Sequence, residues 1–440
     1  MKKSVNSLKR INWKLYRALL LIGLFPAIYT TVRTFFLGQL GSDWAFSIAG
    51  QLSWVNLIYE IMDEAIILPL FFFMGASCGD KKEFSNKLKT GLITSGLIYV
   101  VIGTIVFDFV TPMLKFMAAS PDIISESATY IRIESIANIF GILYRFALVA
   151  LITIGSSKAV YIITGIRVLL SIVFDTFLVS ELSISLKLGV NGIGISNIIV
   201  NLILFVVVIL ILQKEGYSVF SKEKMSFAWM KGFARIGGIS GLESFIRNIA
   251  YMLMVSRMVN MVGEQGTYWV ANNFIWGWLL LPVLQLGELI KQEVSKDKNA
   301  IKENSLGYHI TTAIICASWF VLIPLYKPFM KYALGYDDVD KLFTLVMVLL
   351  GFYVLYAFQN VFDATFYGVG KTNYMLFESV VTNSIYYGGF FVAYLLGLWT
   401  PSLIGIAIMF GVGNAFDSVV SLCAYIFMRK RMRNEKPTYC

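Results

Sequence analysis

The 440-residue chain has little cysteine and almost no histidine: Cys78, Cys316, Cys423, Cys440 and His309. No CxxC pair occurs, so there is no zinc or haem signature and no convincing disulfide framework. His309 opens an apolar segment after "KENSLGY". It reads as an interfacial residue, with proton handling as its other use. No nucleophile–base pair stands out, and "GVGK" at 368–371 lacks the spacing of a phosphate loop. Neither an enzyme, nor a bound metal, nor an organic cofactor is expected. Charge is also scarce, at 15% of residues where soluble domains carry about a quarter.

Apolar residues are abundant, at 57%. A water-soluble core cannot hold that much, so lipid must be the solvent. A membrane helix needs roughly 20 mainly apolar residues. Such runs recur along the whole chain, which excludes a soluble protein on one anchor. They are also too long for β-barrel strands, which run to about 10 residues. Twelve spans are expected, near 15–37, 53–77, 91–113, 129–154, 159–180, 190–213, 232–258, 267–290, 307–326, 343–368, 374–397 and 402–428.

Lys and Arg set the orientation. Twenty-six fall in loops on the side of the N-terminus and five on the other, Lys115, Lys187, Lys327, Lys331 and Lys341. Both termini are expected in the cytoplasm of a cell whose plasma (inner) membrane holds the chain. The net charge of +10 then answers to anionic lipid and needs no nucleic acid.

The sequence also repeats. "IGLFPAIYTTVR" (22–33) parallels "IGGISGLESFIR" (236–247) at an offset of 214. "LPLFFFMG" and "LPVLQLG" follow, then "LYRFALVALITIGSSKAVY" and "LYAFQNVFDATFYGVGKTNY", in the same order at nearly the same offset. The expected organisation is a leader at 1–14, a lobe at 15–213, a linker at 214–231, a second lobe at 232–428 and a basic tail at 429–440. Six spans per lobe, both starting inside, make parallel repeats around a central cavity. The fold class is an all-α membrane protein with twelve helices in two pseudo-two-fold lobes, acting as a monomer.

Charges inside spans mark candidate function, because each is costly at membrane depth. At 1.5 Å per residue from the cytoplasmic end, Arg33 stands roughly 24 Å up, with Glu64 and Asp175 at roughly 26 Å. Glu60, Asp63 and Glu64 share one helix face. Arg145 lies at roughly 20 Å, Glu243 at roughly 18 Å with Arg247 one turn above, and Asp363 at roughly 12 Å. The expected pairs are Arg33 with Asp63 or Glu64, and Arg247 with Glu243. Two arginines against four carboxylates in the first lobe leave a negative surplus, which in a dry cavity binds Na⁺ or holds protons. Aromatics such as Trp54, Trp276 and the Tyr386–Tyr387 pair are further cavity candidates for flat organic cations.

On the segments "RTFFLGQLG", "MGASCGDKKE", "YIRIESIANIFGILYRFALVALITIGSSKAVY", "LGVNGIGISNIIVN" and "FDATFYGVGKTNY", the chain resembles the MATE transporters (multidrug and toxic compound extrusion), within the group that includes lipid-oligosaccharide flippases. The resemblance covers nearly the whole length. It implies export of small organic cations in exchange for Na⁺ or H⁺ by alternating access. Asp175, Glu243 and Asp363 match the family's functional carboxylates, and Ser171 stands where an asparagine is usual. Arg33 stands where the family has an aspartate, so Asp63 or Glu64 must replace it or the ion must use the second lobe. The alternative is a flippase or exporter of an anion, a lipid-linked phosphate or an organic acid, held by Arg33, Arg145 and Arg247.

Overall fold

A computed structural model describes residues 2–40, 43–77, 79–220, 224–297 and 299–434. Cys78, Cys440, linker residues 221–223 and tail residues 435–440 lie outside the described residues. Among the described residues the secondary structure is helix joined by turns and short loops, with no strand. In chain order the helices are α1 (Lys2–Arg10), α2 (Trp13–Gly38), α3 (Asp43–Gly75), α4 (Lys81–Phe116), α5 (Pro121–Thr153), α6 (Ser157–Leu178) and α7 (Val190–Lys214). Next come α8 (Met230–Tyr251), α9 (Arg257–Met261), α10 (Gln265–Phe274), α11 (Leu281–Lys296), α12 (Ala300–Glu303), α13 (Ser305–Val321) and α14 (Ile323–Tyr332). The last are α15 (Val339–Gly368), α16 (Asn373–Val381), α17 (Gly388–Leu395) and α18 (Leu403–Asn434).

Each of the twelve expected intervals overlaps one or more helices, some of them broken. Among the described residues seven helices, α2, α4, α5, α6, α7, α15 and α18, are long and apolar enough to cross a membrane, or up to nine spans if each of two bent pairs counts as one. The bends have a chemical cause. α10 meets α11 at 51° beside Pro282, and α13 meets α14 at 67° beside Pro324. Proline removes a backbone donor and collides with the preceding turn. α3 and α8 fall outside the seven, and they carry Glu60, Asp63, Glu64, Glu243 and Arg247. Some helices outrun their apolar core. α4 starts at Lys81 rather than near 91, because Asp80 caps it by accepting from the amides of Lys82 and Glu83 at 2.8 and 3.2 Å.

Packing divides the chain into two units. One comprises Met1–Thr30 with Val270–Cys440, the other Thr31–Trp269. In the second unit α5 packs on α3, α4 and α7, and α3 also on α8. Its core runs through Trp54, Tyr99, Tyr144, Phe84 and Phe146. In the first unit α15 packs on α11, α13 and α18. A patch around Leu286, Leu289, Ile290 and Tyr308 and another around Phe362, Phe366 and Tyr425 fill it. His309 stacks on Phe358 and Phe362 and bonds Ser305 O through Nδ1 at 2.7 Å.

Lipid gives helices no hydrophobic reason to associate, so small residues at close crossings decide which helices meet. α8 presents Gly237 and Gly241 to α3. A Cβ on Gly237 would fall 2.1 Å from the Ala65 carbonyl oxygen, and one on Gly241 3.0 Å from the Ala65 Cβ. At Gly238, on another face, nothing lies within 4 Å. Gly237→Ala is therefore expected to cost about 1–3 kcal/mol through forced separation of α3 and α8. Gly238→Ala is expected to be neutral. Thermal melting of both variants in detergent checks this, and equal melting temperatures would refute the contact.

Candidate functional site

Three guanidinium–carboxylate clusters line the unit made of 31–269. The most enclosed joins α2 to α6. Arg33 Nε donates to Asp175 Oδ2 at 2.7 Å and Nη2 to Oδ1 at 3.1 Å, a two-pronged pair. Nη2 also donates to Asn197 Oδ1 at 3.1 Å on α7, and Asn197 Nδ2 donates to Glu134 Oε1 at 2.7 Å on α5. Asp175 is 1% exposed and Glu134 4%. Ser171, also buried, stands one turn before Asp175. One cation and two carboxylates thus share a dry site.

The second cluster ties α5 to α3. Arg145 Nη2 donates to Asp63 Oδ1 at 2.9 Å, and the Tyr99 hydroxyl donates to the same oxygen. Both charged side chains keep some exposure.

The third lies where the glycines of α8 admit α3. Arg247 Nη2 donates to Glu64 Oε1 at 2.6 Å and to Glu60 Oε1 at 3.2 Å. Glu243, one turn before on α8, lies 3.8 Å from Nη1. Three carboxylates face one guanidinium, and Glu60 and Glu64 are 46% and 27% exposed. In this group carboxyls outnumber the guanidinium three to one, and it is reachable, whereas Asp175 is not.

The other unit holds carboxyls with no basic partner among the described residues. Asp363 Oδ1 accepts from Ser421 Oγ at 2.8 Å. Asp417 accepts from Gln359 Nε2 at 2.5 Å and from Thr382 Oγ1 at 2.6 Å. Glu378 on α16 is buried beside them. Tyr386, in the same unit, gives its hydroxyl to Met409 O at 2.7 Å and stacks on Phe416.

Residues 18–177 match the MatE family model. Among curated proteins no match rises to significance. Among solved structures, an inward-facing multidrug resistance MATE transporter of the MOP superfamily superposes with a TM-score of 0.76 at 17% identity, over 94% of this chain and 96% of the other. An outward-facing structure of such a transporter gives 0.65 at 18%, over 98% of both chains. A MOP-superfamily transporter from Pyrococcus furiosus, described as having a binding pocket of reversed polarity, gives 0.67 at 18%, also over 98% of both. The chain has the fold of these MATE transporters, and the segment that matches the MatE model lies in its first half. The MatE segment contains Arg33, Glu60, Asp63, Glu64, Glu134, Arg145, Ser171 and Asp175. Glu243, Arg247 and Asp363 lie beyond it.

The MATE fold brings the expected residues together, but with different partners. Arg33 does not meet Asp63 or Glu64, which belong to Arg145 and Arg247. It binds Asp175, which the rise per residue places at about its own level. The face of α3 that carries Glu60 and Glu64 is turned to α8 by the close glycine crossing. Arg247 does approach Glu243, but its shorter bonds are to Glu60 and Glu64. Sequence reading passed over Glu134, Asn197, Glu378 and Asp417. Each of the three acids is ionisable within an apolar run, the signal that singled out Asp363. It also passed over Arg132 and Arg257, which donate to Phe107 O and Phe116 O, and Arg167, which lies over the Tyr144 ring.

Breaking one side of the Arg33–Asp175 pair strands a buried charge, at a cost of about 3–5 kcal/mol. Arg33→Met and Asp175→Leu are each expected to lower the melting temperature sharply. The double variant, with no charge left to strand between them, is expected to melt above both. Strictly additive losses would show that the pair does not act as one unit.

Proposed function

We propose that this MATE-fold chain is a secondary transporter that moves small organic cations out of the cell in exchange for Na⁺ or H⁺ by alternating access. The observation that carries the reading is the open cluster on α3 and α8, where Glu60, Glu64 and Glu243 outnumber Arg247. A delocalised organic cation suits such a site because it meets surplus charge without heavy dehydration. Similar folds in inward- and outward-facing states support alternating access. In this reading twelve spans form two repeated lobes, 15–213 and 232–428, with both termini cytoplasmic, in the plasma membrane, acting as a monomer. Of the carboxylates matched to the family, Asp175 and Glu243 are engaged by arginine, which leaves Asp363 to carry the coupling ion.

A second reading, export of an anion held by arginines, is favoured by Arg33 itself and by the reversed polarity described for the P. furiosus relative of the same fold. It is weakened by the carboxylates that already occupy Arg33, Arg145 and Arg247.

The test is uptake by proteoliposomes under imposed Na⁺ and pH gradients, with ethidium as the cation and a fluorescent organic carboxylate as the anion. Gradient-driven movement of ethidium is expected, with a loss of about tenfold or more in Glu60→Gln/Glu64→Gln, equivalent to at least about 1.4 kcal/mol of lost interaction. Transport of the anion alone, abolished by Arg247→Gln, would replace the first reading with the second.

A further inference from the structure

The seam between α3 and the chain from α8 to the start of α10 is closed by different chemistry along its length. Near the linker, Gly237 and Gly241 set α8 against Ala65, and further along Arg247 meets Glu60 and Glu64. Beyond the π-helical turn Met252–Ser256, side-chain amides make the joint. Gln51 Nε2 donates to Asn260 Oδ1 at 2.7 Å, and Asn260 Nδ2 donates back to Gln51 Oε1 at 3.1 Å. The same Asn260 nitrogen donates to Met117 O at 2.9 Å, just past the end of α4, and Trp54 Nε1 donates to Gln51 Oε1 at 3.0 Å. Gln265, which opens α10, donates to Gly50 O at 2.8 Å. Gln51, Trp54, Met117, Asn260 and Gln265 are all buried.

Two details make this joint both selective and reversible. An indole nitrogen only donates and a carbonyl oxygen only accepts. Trp54 therefore fixes which way Gln51 presents its amide, and Met117 does the same for Asn260, so the two amides meet donor to acceptor. Water offers amides the same bonds, so their net hold on each other is small, whereas parting a buried ion pair strands charge. The second detail is Gln265 Oε1, which is buried without a hydrogen-bond partner. The closed joint leaves that acceptor unsatisfied, and water entering the joint would satisfy it.

We propose that Gln51, Asn260 and Gln265 form a water-releasable latch between α3 and the turn from α9 to α10, which parts and re-forms in each transport cycle. Its place in a cycle rests on the alternating-access reading; the latch itself does not. In that reading α3 belongs to the first lobe and α8 to α10 to the second, so the latch joins the two repeats. It sits at the Met117 end of α4, away from Lys81 and the linker. With the termini cytoplasmic, that end faces outside, and the closed latch shuts the outer end of the seam. On release, water takes over the amide bonds. α8 stays on α3 at Gly237 and Gly241, where the backbones touch. The π-helical turn lies between Arg247 and Asn260, and such widened turns yield more readily than regular helix, so it absorbs the swing of α9. The chain thus pivots at one end of the seam and unlatches at the other.

Locking the joint separates a latch from a permanent contact, because a contact that never parts tolerates a covalent link. A Cβ on Gly50 would fall 2.9 Å from Gln265 Cγ, the place a cysteine sulfur takes at that position. Gly50→Cys/Gln265→Cys is therefore expected to form a disulfide on mild oxidation, identified by peptide mass among the native cysteines. In proteoliposomes that link is expected to stop gradient-driven ethidium transport and reductant to restore it, while neither single variant responds to the oxidant. Hydrogen exchange at the amides of 44–54 and 257–268 is expected to be slower in the oxidised than in the reduced double variant. Where Gly50→Cys does not fold, a short bismaleimide joining Gln51→Cys to Asn260→Cys locks the same joint. Undiminished transport in the linked protein would show a permanent contact and overturn the latch. So would equal exchange in the linked and unlinked states, or a folded double variant that cannot be linked. A wild type that moves no ethidium would defeat the transport reading, and the exchange comparison would then decide the latch by itself.

Discussion

A charge held away from water must be neutralised by something within a few ångströms, and that constraint organises this molecule. Lipid and packed helices solvate ions poorly, so an unmatched guanidinium or carboxylate at depth is expensive. The chain meets the constraint in two ways. In the unit 31–269, arginine on one helix meets carboxylate on another, and the pairings Arg33–Asp175, Arg145–Asp63 and Arg247–Glu64 tie α2 to α6, α5 to α3 and α8 to α3. In the other unit, Asp363 and Asp417 take only neutral donors among the described residues.

Those pairings depend on how closely the helices approach. Arg247 reaches Glu60 and Glu64 because Gly237 and Gly241 let α8 lie against Ala65. Any side chain on the glycines would lengthen the bonds, and partial exposure would then hand the carboxylates to water. The Arg33 cluster is different. Asn197 and Asp175 grip the guanidinium from two sides, and nearly full burial makes it a fixed joint. A fixed joint and an open cluster are different devices made from the same residue types, and exposure separates them.

Much of this was legible before any coordinates. The helical class follows from long apolar runs, and charges inside those runs pick out most of the site because lipid makes them conspicuous. Heights counted from the cytoplasmic end put Arg33 and Asp175 at one level. Partners were not legible, because a level is a ring of positions and only rotation about each helix axis chooses among them. Asp63 and Glu64 are one residue apart, about 100° around α3, and they serve different arginines. Glu134, Glu378 and Asp417 could have been read by the same rule as Asp363. Glu134 is hard to weigh because Arg132, two residues away, suggests a local pair, whereas Arg132 in fact binds the Phe107 carbonyl.

The two ways of neutralising charge also differ in how readily they can be undone. An arginine keeps its proton at any physiological pH, so a carboxylate paired with it is committed unless the helices move. A carboxyl neutralised by a proton needs only water to change state. Fixed pairs therefore suit residues that hold a shape or present a constant charge to a ligand, and proton-neutralised groups suit residues whose charge must alternate during a cycle. By that argument the arginine at position 33 makes the Asp175 site a fixed element of structure, while Asp363 on α15 and Asp417 on α18 meet only neutral donors among the described residues.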